Sequence, residues 1–368
     1  MGRSAKKQQR LVSGTIVLLA GIVLISMMSV PSPTSQTSKL NREIAYTEIV
    51  PVQYDEKKLK SYKKKVEKNG FGECVVRPAI IPRHEITPTF TASYPGSGAK
   101  MTWLLIEAIT GFSTGDDFGI NGAHNIVSIK THYPSSEGKQ MAANEVVPRA
   151  ILLLRHPLSA FPSYYNYLYE MENKLENHST RAPLEAWISW RDANFDKEIE
   201  NWRRFVEYWM DNYSPINRLV VSYEKITDDI MGAVEATRIA EFLSRSKGVV
   251  TCPPELIACV WHKVVKYKEN SSSNNEGRRL QEIPEIPAPP TKEELAKYGI
   301  DPSQFALSDP TNPNSHRSGP TYTPPYTKQQ LKDLLSTLTA LLERYREEKS
   351  LAPILVGYID AVEKRGES

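Results

Sequence analysis

One glycine-containing segment has the residue types of an anion-binding turn. Residues 93–103 read Ser-Tyr-Pro-Gly-Ser-Gly-Ala-Lys-Met-Thr-Trp. Glycines let backbone N–H groups approach phosphate oxygens, and the N-terminus of a following helix adds a partial positive charge. Lys100 and the hydroxyls of Ser97 and Thr102 provide further donors. The segment therefore predicts an anion site, with a simple structural turn as the alternative, and its spacing is not that of a Walker A motif.

Two further segments place a His and an Arg directly after apolar runs. Residues 129–134 read Ile-Lys-Thr-His-Tyr-Pro, and residues 154–164 read Leu-Arg-His-Pro-Leu-Ser-Ala-Phe-Pro-Ser-Tyr. A lone His such as His132 is more often structural than a base or a ligand. Arg155 ends a run typical of a buried strand, and burying a guanidinium without an anion is costly. We therefore expect Arg155 to bind a carboxylate or a phosphate.

The strands and helices that must position these residues can be predicted from hydrophobic periodicity. Strand patterns cover residues 87–94, 125–131, 149–155 and 218–223. Helical patterns cover residues 100–110, 193–209 and 328–349, and Gly111 is the expected C-cap of the first. Their alternation predicts an α/β fold, a three-layer α/β/α domain with a mostly parallel central sheet. Ligands of such folds bind at the carboxyl ends of the strands, which is where the three segments fall.

Together the three segments resemble the 3′-phosphoadenosine 5′-phosphosulfate (PAPS) dependent sulfotransferases, which have a P-loop-like fold. The first is similar to the family's 5′-phosphosulfate loop, Tyr-Pro-x-Ser-Gly followed by Trp, and the second to its Lys-Thr-His-x-Pro strand end. The third is similar to the 3′-phosphate motif, in which an Arg and a Ser, here Arg155 and Ser163, are eight residues apart. The 25-residue step from Lys130 to Arg155 also matches the family. The resemblance covers roughly residues 87–342.

Two more segments extend the resemblance. Residues 221–224, Val-Ser-Tyr-Glu, are similar to the strand whose Tyr approaches the adenine. Residues 316–319, His-Arg-Ser-Gly, with Tyr326 and Thr327 are similar to the Arg-Lys-Gly segment that closes over the 3′-phosphate. The sequence of the first segment is most similar to that of the membrane-bound, carbohydrate-type branch, which includes the WSC-domain sulfotransferases. This chain has no cysteine-rich WSC module.

The resemblance implies a role for each matching residue. His132 is the expected base, and Lys100 and Lys130 are expected to stabilise charge on the leaving group. Trp103 and Tyr223 would flank the adenine, with core packing as the alternative. No metal is expected. The predicted binding set for PAPS is Tyr94, Pro95, Gly96, Ser97, Gly98, Ala99, Lys100, Thr102, Trp103, Arg155, Ser163, Tyr223, Arg317, Ser318 and Gly319.

The sequence departs from the family pattern at four places. Gly96 stands where the family commonly has a Lys that bridges the transferring group, and two extra residues precede Trp103. Pro162 directly precedes Ser163, and Ser318 stands where Lys is usual. Lys100 is the expected replacement for the missing Lys. If its amine does not reach the leaving oxygen, the chain would be a weak or inert relative that acts as a membrane-anchored binding or scaffold protein.

An uncharged run near the N-terminus predicts membrane attachment. Residues 11–30 contain no charged side chain, and 20 residues in a helix are long enough to cross a bilayer. Residues 3–10 carry four basic side chains, and the next is Lys39, so the N-terminus is expected in the cytosol. We predict a type II signal-anchor of a Golgi or other secretory-pathway membrane, with a cleaved signal peptide as the alternative. Sequons at Asn177, Asn212 and Asn270 agree with a luminal glycoprotein.

The predicted organisation follows from these features and from the cysteines. Cys252 and Cys259 are spaced so that they could bridge, which would leave Cys74 over, and the alternative is that all three are small buried apolar residues. The oligomeric state stays open. The predicted parts are a cytosolic tail at 1–10, the anchor at 11–30, a luminal stem at 31–84, the sulfotransferase domain at 85–346 with a long polar insertion at 269–325, and a C-terminal tail at 347–368.

Charge and motif content weigh against other functions. The 46 basic and 43 acidic residues leave a net charge of +3, which gives no argument for a nucleic-acid partner. A phosphoryl-transferring P-loop enzyme would need an Asp for Mg²⁺ at a strand end, where this chain has Arg155. A metal-dependent luminal glycosyltransferase would be expected to have Asp-x-Asp, which does not occur. The resemblance therefore predicts a PAPS-dependent sulfotransferase (EC 2.8.2 type), and the expected acceptor is a hydroxyl of a carbohydrate or glycoconjugate.

Overall fold

The structure is a computed structural model that describes residues 60, 64, 70–117, 125–135, 147–266 and 322–367. All of these belong to one structural unit of the chain, residues 51–368. The predicted cytosolic tail and anchor, and most of the predicted stem and polar insertion, lie outside the described residues. Among those described, no helix is both long and apolar enough to cross a membrane.

A five-stranded sheet forms the centre of the domain, in the order β2-β3-β1-β4-β5. All four neighbouring pairs are parallel, so the carboxyl ends of all strands lie at one edge. The parallel sheet and the four longer strands confirm the prediction, while β2 is too short to give a periodic signal. The strands are β1 Thr89–Ser93, β2 Gly115–Asp116, β3 Ser128–Thr131, β4 Ala150–Leu154 and β5 Arg218–Ser222.

Helices cover both faces of the sheet. Three of them, α1, α3 and α7, lie where helical periodicity predicted them, and α1 ends at Gly111 in the left-handed conformation expected of a C-cap. A π-helical turn, His262–Lys266, continues α6. The helices are α1 Ala99–Thr110, α2 Pro157–Glu172, α3 Leu184–Asn212, α4 Tyr223–Ile226, α5 Met231–Leu243, α6 Pro254–Trp261, α7 Lys328–Arg344 and α8 Ala352–Glu367.

The side chains of β4 show why the fold has three layers. Ala150, Leu152 and Leu154 belong to one buried apolar cluster, with residues of α2, α3, α7 and α8. Ile151 and Leu153 belong to the other, with residues of α1, α5 and α6. Since successive side chains of a strand point to opposite faces, an unbroken apolar run requires cover on both sides. The predicted α/β/α layering is therefore present.

The end of the predicted stem packs on the domain instead of standing apart from it. Cys74 forms a disulfide with Cys259 of α6, with 6.0 Å between their Cα atoms. The backbone of Ile80 donates to Gly111 and accepts from Ser113. Cys252 and Cys259, which the sequence allowed to bridge, are not paired, and Cys252 keeps a free thiol because Cys259 is bonded to Cys74. The domain therefore begins before the predicted boundary at residue 85.

The predicted C-terminal tail contains a helix that belongs to the core. Leu351, Ile354, Leu355, Tyr358 and Val362 are buried and join the cluster that includes α2 and α3. Their spacing of three and four residues forms one apolar stripe on α8, which explains why the segment folds back as a helix. The domain therefore extends past the predicted boundary at residue 346.

Candidate active site

The turn between β1 and α1 has the geometry of an anion site. Gly96 and Gly98 adopt φ angles of 79° and 91°, in the left-handed region that favours glycine. Gly98 is the N-cap of α1, and no described side chain caps that end of the helix. The hydroxyl of Ser97 is fully buried and has no hydrogen-bond partner among the described residues. A buried hydroxyl without a partner, beside uncapped N–H groups, fits an anion.

Gly96 lies directly against α2, which explains one departure from the family pattern. A Cβ atom at this position would be 2.4 Å from the carbonyl oxygen of Ala160 and 2.6 Å from the backbone nitrogen of Tyr164. The lack of room for a Cβ atom and the left-handed φ angle therefore both require glycine at position 96. With this backbone, a lysine cannot occupy position 96.

Two residues of the predicted binding set use their hydroxyls in hydrogen bonds within the protein. Tyr94 is 1% exposed, and its hydroxyl donates to a carboxylate oxygen of Glu198 at 2.5 Å. Burial, followed by the charge of Glu198, raises the pKa of Tyr94, so its hydroxyl keeps its proton. The Thr102 hydroxyl donates to the carbonyl oxygen of Gly98 at 3.3 Å. Both side chains support the turn, whereas their neighbour Ser97 has a hydroxyl that can face an anion.

His132 follows β3 at the carboxyl edge of the sheet, and its tautomer is set by one contact. Its Nδ1 lies 2.7 Å from the carbonyl oxygen of Ser93, which can only accept, so Nδ1 carries the proton. The Nε2 lone pair is then available as an acceptor. Burial lowers the pKa of His132 to about 4, the bond to Ser93 opposes this shift, and the nearby Lys130 adds to it. The imidazole is therefore neutral at pH 7.

Two lysines lie beside this edge. Lys130 is in β3, and its Nζ is 5.8 Å from the ring centroid of Trp103 in α1. The indole nitrogen of Trp103 is buried without a partner within the part of the chain that the structure describes. Lys100 is exposed in the first turn of α1, where the helix dipole disfavours a cation. A cation in that position is most easily explained by an anion held at the same helix end.

Arg155 connects the end of β4 to the anion turn. Its Nη1 donates to the carbonyl oxygen of Gly96 at 2.7 Å, and its guanidinium carbon is 4.2 Å from the ring centroid of Tyr223. The Nε atom is buried and lacks a partner among the residues described. The Tyr223 ring in turn packs on Gly98, where a Cβ atom would be 2.6 Å from Cε2 of the ring. Arg155, Tyr223 and the turn therefore form one cluster.

The proline in α2 is accommodated by a hydrogen bond from a distant segment. Pro162 has no N–H, so it cannot donate to the carbonyl oxygen of Leu158 four residues earlier. The hydroxyl of Tyr326 donates to that oxygen instead, at 3.2 Å. Ser163 is half-buried on α2, between the two residues that approach Gly96. Arg317, Ser318 and Gly319 lie outside the described residues.

The structure thus brings most of the predicted residues together and adds three that the sequence analysis missed. His132 is linked to the turn through Ser93, and Arg155 is linked to it through Gly96. The missed residues are His156, Glu224 and Tyr358. His156 caps α2 with its Nδ1, a role that the following Pro157 at the first helical position signals in the sequence. Glu224 and Tyr358 give no comparable local signal.

Among the described residues, no group of three or more His, Cys, Asp or Glu side chains is placed to hold a metal ion.

Part of this chain is similar to a known protein family. Residues 120–282 match the family model of the sulfotransferase domain, a range that contains His132, Arg155 and Tyr223. The crystal structure of mouse sulfotransferase SULT7A1 complexed with PAP is similar with a TM-score of 0.42 and 14% identity, over 77% of this chain and 91% of that chain. No curated protein matches the chain. This chain is therefore similar to the sulfotransferase domain over 163 of its 368 residues.

Proposed function

We propose that this chain transfers the sulfuryl group of PAPS to a hydroxyl of a carbohydrate or glycoconjugate. The observation that carries the proposal is the cluster at the carboxyl edge, in which a neutral His132 and the paired Arg155 and Tyr223 all contact the turn after β1. PAPS supplies the sulfuryl group. The bond from sulfur to the bridging phosphate oxygen breaks, a bond from sulfur to the acceptor oxygen forms, and the acceptor loses its proton.

His132 is the proposed base. Because Nδ1–H is held by the Ser93 carbonyl, Nε2 is the atom that accepts the proton of the acceptor hydroxyl. A pKa of about 4 keeps Nε2 unprotonated at the pH of a secretory compartment. Such a positioned base contributes about 10²- to 10⁴-fold to the rate.

The two lysines are proposed to stabilise the negative charge that develops on the leaving phosphate oxygen. Position 96 is closed to any side chain, so the cation must come from elsewhere. Lys100 lies in the first turn of α1, and Lys130 of β3 approaches Trp103 of the same helix. A fixed cation at a developing anion stabilises the transition state more than the ground state.

The remaining predicted residues would bind the two ends of the nucleotide. The Ser97 hydroxyl and the N–H groups of residues 96–99 are proposed to hold the 5′-phosphosulfate. The unpartnered Nε of Arg155 is proposed to donate to the 3′-phosphate, together with Ser163 and residues 317–319. Tyr223, which stacks on Arg155, and Trp103 are proposed to flank the adenine.

We also propose that the chain acts in the Golgi lumen as a type II membrane protein. Residues 11–30 supply the anchor, and the basic residues before them set its orientation. The Cys74–Cys259 disulfide supports an oxidising compartment, because disulfides rarely persist in the cytosol. A glycan acceptor is supported by the anchor and by the similarity of residues 93–103 to the carbohydrate-type branch of the family.

The test is transfer from ³⁵S-labelled PAPS to a panel of glycans by the detergent-solubilised full chain. We expect label to appear in at least one glycan, and Arg155→Ala to reduce transfer at low PAPS at least 100-fold, since it removes a charge-assisted phosphate contact (~1.5–3 kcal/mol) and the stacking partner of Tyr223. Lys247→Ala is the control, because Lys247 is an exposed cation at the amino end of β1, paired with Glu85. Binding of PAP without any transfer would favour the inert relative, and consumption of ATP with Mg²⁺ in place of PAPS would overturn the class.

A further inference from the structure

The carboxylate of Glu224 lies next to the Arg155–Tyr223 pair and is held by three hydrogen bonds, although the residue is partly exposed to solvent. Oε1 of Glu224 accepts from the backbone N–H of His156 at 2.8 Å. Oε2 accepts from the hydroxyl of Ser222 at 2.8 Å and from the hydroxyl of Tyr358 at 2.9 Å. With three donors the carboxylate is well satisfied, and its position is fixed from three directions.

Glu224 and its donor His156 are each adjacent in sequence to one residue of the Arg155–Tyr223 pair. His156 directly follows Arg155, and Glu224 directly follows Tyr223. The bond from His156 to Glu224 therefore joins the turn after β4 to the turn after β5. It fixes the separation of the two backbones from which the stacked guanidinium and ring extend.

Tyr358 of α8 contacts both Glu224 and His156. Its hydroxyl donates to Glu224, and its carbonyl oxygen lies 3.2 Å from Nε2 of His156. Because Nδ1 of His156 accepts from the N–H of Leu158, Nε2 carries the proton and donates to Tyr358. The two rings are 4.7 Å apart, and Tyr358 is only 4% exposed.

The hydroxyl of Tyr358 acts as a donor throughout the physiological pH range. Burial, followed by the charge of Glu224, raises the pKa of Tyr358 well above its ordinary value. The bond to the carboxylate therefore persists at any pH at which the enzyme would work.

The same helix also contacts the end of the predicted polar insertion and the residue that follows it. Arg365 of α8 donates to the carbonyl oxygen of Pro324, and its guanidinium carbon is 5.4 Å from the ring centroid of Tyr326. Helix α8 thus contacts three separate parts of the chain, which are the segment after β4, the segment after β5 and residues 324–326.

We propose that Glu224 and Tyr358 are positioning residues for the nucleotide, and that α8 is a working part of the site. They hold Arg155 and Tyr223 at stacking distance before the nucleotide binds, so the ordering of these side chains does not reduce the affinity. The inference rests on the proposed function and deepens it, because neither residue touches the nucleotide itself.

The test measures binding of PAP to the full chain by calorimetry, with Tyr358→Phe as the variant. Loss of one charge-assisted bond behind the site should weaken PAP binding about tenfold. The same factor should appear in kcat/KM for PAPS, while kcat at saturating PAPS changes less than twofold. A loss of kcat at unchanged KM would contradict a positioning role.

Tyr345→Phe is the matched control. Tyr345 is also buried, and its hydroxyl donates to a carboxylate oxygen of Asp211 at 2.8 Å, at the end of α7. Both variants lose one tyrosine–carboxylate bond and should lower Tm by similar amounts. Only Tyr358→Phe should change PAP affinity.

Glu224 provides a second, graded comparison. Glu224→Gln keeps an oxygen for the His156 N–H and should weaken PAP binding less than Glu224→Ala does. If both Tyr→Phe variants bind PAP as tightly as the wild type, the inference is overturned and the proposed function stands. If the wild-type chain itself does not bind PAP, both are overturned.

Discussion

At the scale of single residues, His132 is distinguished by a strongly lowered pKa. Its ring is half-buried beside Lys130, and burial is the main cause of the shift to about 4. A base must be unprotonated, so its rate contribution is present above this pKa and is lost as pH falls through it.

The resulting prediction is an acid limb in the pH dependence of kcat/KM near pH 4. A histidine with its ordinary pKa of about 6.5 would instead lose activity between pH 7 and 6. The measurement is the rate of ³⁵S transfer from pH 3.5 to 8 at low PAPS, with a brief exposure to acid followed by assay at pH 7 to exclude unfolding. A limb centred near 6.5 would show that His132 is not held as described.

Gly96 is the second residue whose local geometry leads to a prediction. Gly96→Ala should cost about 3 kcal/mol or more of unfolding free energy, because a left-handed backbone and a clash with α2 add together. Gly111→Ala is the control, since Gly111 has a φ of 70° but no described atom within 4 Å of its Cβ position. It should cost only about 1 kcal/mol. Equal losses in urea unfolding of the two variants would contradict the close packing of the turn on α2.

At the scale of elements, α2 depends on a partner from outside the helix. The carbonyl oxygen of Leu158 is freed by Pro162 and taken by Tyr326. Tyr326→Phe should therefore cost about 1–3 kcal/mol, the penalty for an unsatisfied polar group in a part-buried site. Pro162→Ala restores the N–H within the helix, so Tyr326→Phe should cost clearly less in that background. A double-mutant cycle by thermal unfolding measures the difference, and strict additivity of the two changes would contradict the proposed exchange of donors.

The elements also show what the sequence could and could not predict. The apolar run of β4 and the motifs at the strand ends were sufficient to predict the sheet and the position of the three motifs at its carboxyl edge, because both depend on local periodicity and spacing. The role of α8 depends on which helix packs beside α3, which local patterns do not encode. Glu224 was missed for the same reason, since two of its donors come from residues far away along the chain. The disulfide partner of Cys74 lies 185 residues away, a separation that no local pattern encodes, so the sequence left the pairing of the three cysteines open.

At the scale of the whole molecule, the Cys74–Cys259 disulfide joins the N-terminal segment to α6 across a separation of 185 residues. Closing so long a loop restricts the unfolded chain, and its loss should cost about 2–5 kcal/mol. Cys74→Ser should therefore lower Tm, whereas Cys252→Ser, which removes only a free thiol, should have a small effect. Differential scanning calorimetry checks both variants. An equal Tm for wild type and Cys74→Ser would show that the disulfide does not form in the protein.

The central claim is that the carboxyl edge of the sheet binds the nucleotide and that His132 then removes the acceptor proton. The most direct measurement compares PAP affinity and single-turnover ³⁵S transfer in His132→Ala with those of His84→Ala, whose exposed histidine bonds to Gly248 at the amino end of β1. The account predicts that His132→Ala binds PAP within about threefold of the wild type but transfers sulfate about 10²- to 10⁴-fold more slowly. His84→Ala should match the wild type in both. Undiminished transfer by His132→Ala would contradict the account.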